Sequence, residues 1–134
     1  MASNDNLTAV ATLIAQQTDQ LWSIAMAVIV AEIVTVCSFF RDPSASWKWQ
    51  LSEWLLLVSI LFHGGSLFFG YLTKGALIEM VQAGAGPNSR QYYNAAADAS
   101  LWQFFLLVGG ITLFVIVFWM KRSEVSGAIL GGKK

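Results

Sequence analysis

Cysteine and histidine are almost absent from this sequence: its 134 residues include one of each, Cys37 and His63. A single cysteine excludes a disulfide within the chain, and because Cys37 lies in an apolar run, we expect its thiol to pack as a small hydrophobic group. One histidine, one cysteine and scattered carboxylates lack the ligand spacing of a zinc site. The sequence therefore predicts neither a disulfide framework nor a metal site.

Charge is also scarce, with eight basic and eight acidic residues and a formal net charge of zero. Without an excess of one sign, no overall field favours nucleic acid or an acidic partner. The GxxxxGK phosphate-binding pattern does not occur, and His63 and Ser66 share one apolar run with no third group to orient them. We predict a protein that is not an enzyme and does not bind nucleic acid.

Apolar residues, in contrast, are abundant and fall in three long runs. They make up 56% of the chain, whose mean hydropathy of +0.58 exceeds what a soluble core of this size would bury. The runs 21–40, 54–73 and 101–120 are each twenty residues long, and twenty residues at about 1.5 Å per residue match a hydrocarbon core of about 30 Å. The predicted fold class is all-α: one membrane domain, 1–134, with three transmembrane helices in an up-down-up bundle.

The positions of the tryptophans support these spans independently. The amphipathic indole ring prefers the headgroup level of a bilayer, and all six tryptophans lie at or just beyond the end of a predicted span. They are Trp22, Trp47, Trp49, Trp54, Trp102 and Trp119.

The distribution of lysine and arginine predicts the orientation. Basic residues that flank a span are retained in the cytoplasm, whereas acidic residues count for little. The first connection and the C-terminal segment together carry six basic residues, against two in the N-terminal segment and the second connection. We therefore expect the N-terminus outside and the C-terminus in the cytoplasm, in the cell membrane and specifically a bacterial inner membrane. Because the N-terminus lacks the basic region of a cleavable signal peptide, we expect the first run to remain in the mature protein.

Helical character continues beyond the spans on the side predicted to be outside. An amphipathic segment, 6–20, precedes the first span, the second span continues to residue 83, and the third has a helical lead-in from residue 91. Ten further residues of helix add about 15 Å, so we expect the bundle to protrude outside. We expect it to end close to the membrane inside, where 41–46 forms a tight connection. The alternative is that one or more of the extensions lies flat in the interface.

Glu32 and His63 are the only acidic or basic residues within the three spans. Counted from the outer ends, Glu32 is twelfth in its span and His63 is eleventh, so they share a depth near the midplane. A charge there costs about 3 kcal/mol on insertion scales, so both side chains should face protein. We predict an intramembrane polar pair. One interpretation is a hydrogen bond that relays protons or responds to pH. The interpretation that we prefer is a neutral pair whose polar contact holds the helices together. A further alternative is a haem shared between two subunits through His63; otherwise we expect no cofactor.

Small residues mark the expected helix contacts. Three of them follow His63 directly, a fourth lies four residues beyond Ser66, and two adjacent glycines occur in the third span. Such small-xxx-small spacing lets helix backbones approach closely. The residues expected to mediate helix packing are Gly64, Gly65, Ser66, Gly70, Gly109 and Gly110.

The C-terminal segment, 121–134, is basic and would lie beside the inner leaflet. Lys121, Arg122, Lys133 and Lys134 are expected to bind anionic lipid headgroups. The alternative is that these four residues only set the topology.

The layout of three spans, an outer N-terminus and a basic inner C-terminus resembles that of small phage holins, which implies a role in a membrane lesion. We predict a structural subunit of an oligomeric membrane assembly: a pore, a holin-like lesion, a secretion or conjugation apparatus, or an accessory subunit of a larger complex. Its partners would be membrane lipids and either copies of itself or other membrane subunits. The alternative is an ion or proton transport subunit that uses Glu32 and His63. The first two spans offer that path few further polar groups, namely Ser23, Thr35, Ser38, Ser59 and Ser66.

Overall fold

Three long α-helices account for nearly all of the described chain. The structure, a computed structural model, describes the backbone of residues 4–39, 47–84 and 86–129 and the side chains of 6–37, 51–84 and 86–121. Helix α1 spans Asn4–Phe39, α2 spans Trp47–Ala83 and α3 spans Ser89–Ile129. Each is long and apolar enough to cross a membrane. The predicted all-helical class, with three helices of membrane-spanning length and hydropathy, is confirmed.

The helices are much longer than a bilayer is thick. They contain 36, 37 and 41 residues, which correspond to about 54 to 62 Å at 1.5 Å per residue, against a hydrocarbon core of about 30 Å. The extensions 6–20, 74–83 and 91–100 each continue the helix of the adjoining run without a break. Continuous helix through these boundaries argues against an extension lying flat in the interface.

Helices α2 and α3 are not cut short at their other ends, contrary to the expectation for the inner side. Helix α2 begins at Trp47 and α3 continues to Ile129. The added segments, 47–53 and 121–129, contain no proline, so each can continue the i to i−4 hydrogen bonding of the adjoining apolar run. The predicted tight connection 41–46 lies outside the described residues.

A sharp turn joins α2 to α3. Gly84 adopts φ = 57°, the left-handed conformation in which helices often end and which glycine adopts without a steric penalty. Its N–H donates to the Val81 carbonyl at 3.2 Å, and the Ser89 hydroxyl donates to the Gly86 carbonyl at 2.8 Å, at the start of α3. These caps let α3 fold back along α2.

The buried residues of α2 form a regular stripe. Their spacing alternates between four and three residues, which is the packing pattern of helices that supercoil around one another with a left-handed twist. Helix α2 packs most extensively on α3, less on α1, and α1 and α3 touch least. The stripe consists of Ser52, Leu56, Ser59, His63, Ser66, Gly70, Thr73, Leu77 and Met80.

Helix α1 is held lightly by comparison. In the part whose side chains are described, its buried residues occur only at every seventh position: Ala11, Thr18, Ala25 and Glu32. Many of its large apolar side chains, such as Val30 and Val34, are exposed. The contacts of α1 with the other two helices therefore depend on a few positions.

The interior of the described bundle changes along its length, from apolar near the α2–α3 turn to mostly polar in the middle. Toward the α2–α3 turn, Ala11, Leu77, Met80 and Ala96 form an apolar core, as expected where water surrounds the bundle. Through the middle, the fully buried side chains are mostly polar, while large apolar ones such as Leu61 and Phe68 point outward. This inverted arrangement is typical of helices whose solvent is lipid.

Candidate functional site

A cluster of buried polar groups lies where all three helices meet. Glu32 extends from α1, and Ser59 and His63, four residues apart and therefore on one face, extend from α2. All three side chains are fully buried, at 0% exposed. His63 Nδ1 lies 3.1 Å from Glu32 Oε1. The structure thus brings together the two residues that the sequence placed at a common depth.

Ser59 connects this acid to the third helix. Its Oγ is in hydrogen-bond contact with Glu32 Oε1 and lies 2.8 Å from the carbonyl oxygen of Gly110 on α3. The sequence offered Ser59 only as one of several span hydroxyls and gave no signal for the carbonyl. The cluster therefore joins α1, α2 and α3 through polar groups for which lipid offers no substitute.

Gly110 makes room for the histidine. A Cβ atom at this position would lie 2.6 to 2.9 Å from three atoms of the His63 imidazole, closer than real carbon contacts come. The ring is thus packed directly on the backbone of α3. Glycine at position 110 lets the two helices approach closely.

Several polar atoms of the cluster have no protein partner within the described part of the chain. Glu32 Oε2 and His63 Nε2 are buried without a hydrogen bond. His63 Nδ1 also makes no hydrogen bond, although it lies 3.1 Å from Glu32 Oε1. Because unpaired buried polar atoms cost free energy, this cluster is the candidate functional site of the described bundle.

A second polar layer lies nearer the α2–α3 turn. Ser66 Oγ donates to the Gln103 carbonyl at 2.9 Å, and Gln103 Nε2 donates to the Thr18 carbonyl at 3.4 Å. The Trp22 indole N–H donates to the Leu67 carbonyl at 3.0 Å. Gln103 and Thr18 were not among the predicted site residues, although a lone glutamine in an apolar run is a visible signal for a buried polar contact.

Trp22 departs from its expected place in the interfacial belt. The side chains of Trp54, Trp102 and Trp119 are more than half exposed, as belt residues should be. Trp22 instead turns toward α2, where Lys74 Nζ lies 4.7 Å from the ring centroid and also pairs with Asp19 at 2.5 Å. Because this ion pair is substantially exposed, it should contribute little stability.

The other residues predicted for packing divide into two groups. Gly65 meets Leu106, Gly109 meets Phe62, and Gly70 is enclosed by Trp22 and Gln103. Gly64, in contrast, is exposed, with no atom near its missing Cβ. Adjacent residues point about 100° apart on a helix, so the packing that includes Gly65 leaves Gly64 outside it.

The basic residues predicted to contact lipid headgroups are mostly beyond what is described. The side chain of Lys121 is buried, at 8% exposed, whereas a residue that binds headgroups would be expected at an exposed position. The Arg122 side chain, Lys133 and Lys134 lie outside the described residues.

The geometry of the cluster does not suit haem or nucleophilic catalysis. His63 is enclosed by Glu32 and the backbone at Gly110, which leaves no space for a porphyrin at its free nitrogen. Ser59 contacts Glu32 and a carbonyl rather than His63, so the contact between nucleophile and base that catalysis needs is missing. The side chains in described parts of the chain include no group of three potential metal ligands.

Comparison with known proteins identified no relatives. No family model matches the chain, and no curated protein and no solved structure matches it at a significant level.

Proposed function

We propose that this protein is a structural subunit of an oligomeric membrane assembly, and not an enzyme. In this proposal the helices cross the bilayer in an up-down-up arrangement, with the N-terminus outside and the C-terminus in the cytoplasm, in the cell membrane of a bacterium. The assembly would be a pore, a holin-like lesion or a secretion or conjugation apparatus, or the chain would stabilise a larger complex. The protein would act by packing against lipids and other subunits.

Exposed apolar side chains on the helical extensions are the observation that supports this proposal most directly. Leu13 is 65% exposed and Ile78 is 58% exposed, yet both lie beyond the runs 21–40 and 54–73 that fill the hydrocarbon core. Leu13 precedes the first run by eight residues, or about 12 Å of helix. Lipid tails do not reach that far, so these side chains would be left in water unless another protein surface covers them.

A groove between α1 and α2 lies in the same region. It has a volume of about 570 Å³ and is lined by side chains including Ala11, Ala15, Leu77 and Val81. Small side chains on α1 beside larger ones on α2 leave space into which a ridge of another helix fits. The groove and the exposed residues around it favour lateral contacts with another subunit.

The proposal predicts a defined assembly that depends on the extensions. Light scattering on the detergent-solubilised protein, with the detergent contribution subtracted, should give a discrete multiple or a large polymer of the 14.7 kDa chain. Replacing both Leu13 and Ile78 with glutamine should lower that mass, because the contact would lose its apolar area. Glu79→Gln, at an exposed position of the same extension, is the control and should leave the mass unchanged. A monomeric wild-type particle contradicts self-assembly.

A second candidate, ion or proton transport, is favoured by the polar interior. Four buried hydroxyl groups recur every seven residues on α2, on the same face as His63. They belong to Ser52, Ser59, Ser66 and Thr73. Support from the sequence was thinner, because Ser52 and Thr73 were not among the groups counted and the shared face was not known. Of the other groups counted, Ser23 is exposed and Thr35 is only partly buried.

Transport predicts a proton flux that needs a titrating acid at position 32. Wild-type protein in liposomes should dissipate an imposed pH gradient, and Glu32→Gln should abolish this flux, because an amide does not exchange protons with a relay. Glu53→Gln serves as the control. Equal flux through empty liposomes and wild-type liposomes would rule out this second candidate.

A further inference from the structure

Ser59 contacts two oxygens but has only one hydroxyl hydrogen to donate. Ser59 Oγ contacts two oxygens, Glu32 Oε1 and the Gly110 carbonyl, the latter at 2.8 Å. A serine hydroxyl carries one hydrogen, and a backbone carbonyl only accepts. If Ser59 donates to Gly110, a second hydrogen is needed between Ser59 and Glu32. A protonated Glu32 carboxyl group provides it.

Burial favours the same protonation state. Glu32, Ser59 and His63 are fully buried, so a carboxylate beside a neutral imidazole would leave a net negative charge inside the bundle, where it is strongly disfavoured. A charged imidazole would balance that charge. However, the His63 contact lacks hydrogen-bond geometry, which a buried ion pair requires to offset its desolvation.

Apart from His63, no described side chain near the cluster carries a charge that could balance a Glu32 carboxylate. The other acidic, basic and titratable groups nearest along the three helices lie at least five residues from the cluster member of the same helix, or about 7 Å along the axis. They are Asp19 and the exposed Cys37 on α1; Glu53, Tyr71 and Lys74 on α2; and Asp98 and Lys121 on α3. Lys121 is eleven residues beyond Gly110, about 16 Å along α3.

We infer that the Glu32 carboxyl group is protonated in the assembled bundle. Together with Ser59 and Gly110, and with His63 beside them, it forms a proton-binding site that holds α1 against α2 and α3. The bound proton comes from water and resides on Glu32 Oε1. It is donated to Ser59 Oγ, whose own hydrogen is donated to the Gly110 carbonyl. Each helix contributes one member of this chain, so a single proton connects all three. This site does not depend on the proposed role in an assembly.

Loss of the proton should release α1. Among its described side chains, α1 buries only every seventh residue. Few apolar contacts therefore oppose the separation of α1 from α2 and α3. The deprotonated cluster would carry an unbalanced buried charge, which is relieved when water enters or α1 moves away. Proton binding and docking of α1 therefore stabilise each other.

Infrared spectroscopy tests the protonation state directly. At neutral pH the wild-type protein should show the C=O stretch of a protonated carboxylic acid, and Glu32→Gln should lose that band. Glu53→Gln, at a half-buried position near the start of α2, should keep it. Absence of the band from the wild-type spectrum overturns the inference, as does its loss in Glu53→Gln but not in Glu32→Gln.

Histidine labelling provides a measurement that needs no variant. His63 is the only histidine in the chain, so ¹⁵N-histidine NMR reports on this one ring. A neutral imidazole at neutral pH agrees with the inference. An imidazolium spectrum overturns it, since the proton would then reside on His63 rather than on Glu32.

Pulsed EPR tests the link to α1. Spin labels on Cys37 of α1 and on the α3 variant Val115→Cys, both at exposed positions, should give a narrow distance distribution at neutral pH. The distribution should broaden at alkaline pH. With Glu32→Gln the distribution should stay narrow throughout, because an uncharged amide N–H still donates to Ser59. The same alkaline broadening in wild type and Glu32→Gln, or none in wild type, contradicts the link between the proton and α1.

Discussion

Gly110→Ala is expected to destabilise the bundle at the Glu32–Ser59–His63 cluster. The new Cβ would lie 2.6 to 2.9 Å from three atoms of the His63 ring, and the ring is enclosed by Glu32 on its other side. Overpacking of this kind costs about 1 to 3 kcal/mol. Displacing His63 should also disturb the Ser59 contacts with Glu32 and the Gly110 carbonyl. Reversible unfolding of the detergent-solubilised protein measures the loss of free energy.

Gly64→Ala is the matched control for Gly110→Ala. Gly64 is also a mid-helix glycine, but it is exposed and nothing lies within 4 Å of its missing Cβ. Because alanine favours helix over glycine by about 1 kcal/mol in soluble hosts, this variant should be unchanged or slightly more stable. Equal destabilisation by the two substitutions would mean that the packing of His63 on α3 is not responsible.

Gly70→Ala should loosen α1 selectively. Its Cβ would lie closest to Trp22 Nε1, and 2.7 Å from Trp22 Cδ1 and 2.8 Å from Gln103 Nε2. The Trp22 bond to the Leu67 carbonyl and the Gln103 bond to the Thr18 carbonyl would both be disturbed. Hydrogen bonds between membrane helices contribute about 0.6 kcal/mol each on average, and overpacking adds about 1 to 3 kcal/mol. Amide hydrogen exchange should therefore quicken along α1, while α2 and α3 stay protected.

Two further variants test this explanation of the Gly70→Ala effect. Gly75→Ala, five residues further along α2 and with open space at its Cβ, should leave exchange in α1 unchanged. Adding Trp22→Phe to Gly70→Ala should restore part of the lost stability, because the smaller ring makes room for the new methyl group. A purely additive double-mutant cycle would show that Trp22 and Gly70 do not compete for that space.

Much of the architecture was predictable from composition and from length alone. Runs of twenty apolar residues predicted three helices that could cross a membrane, and the structure has them. Counting along antiparallel spans placed Glu32 and His63 at one depth, and the structure places them 3.1 Å apart. Depth along a helix axis depends only on residue number and rise, so no knowledge of packing was needed for this prediction.

The orientation of side chains around each helix axis was not predictable in the same way. A soluble helix reveals its buried face through alternation of apolar and polar residues, but these spans are apolar on all sides. The informative residues were the small and polar ones, whose stripe on α2 includes Ser59, Ser66 and Thr73. Ser23 and Thr35 are equally polar, but Ser23 is exposed and Thr35 is only partly buried, so residue type without position does not define the stripe.

The sequence by itself determined that the chain forms long apolar helices and at what depth its acid and its histidine lie, because hydropathy and helical rise act along one dimension. Only the tertiary structure decided that Ser59 and the Gly110 carbonyl meet Glu32, that Trp22 turns inward and that Gly64 points outward. Those outcomes depend on how three helices rotate about their axes and approach one another. The close approach at Gly70 and Gly110, where side chains of other helices occupy the space of the missing methyl groups, sets that rotation.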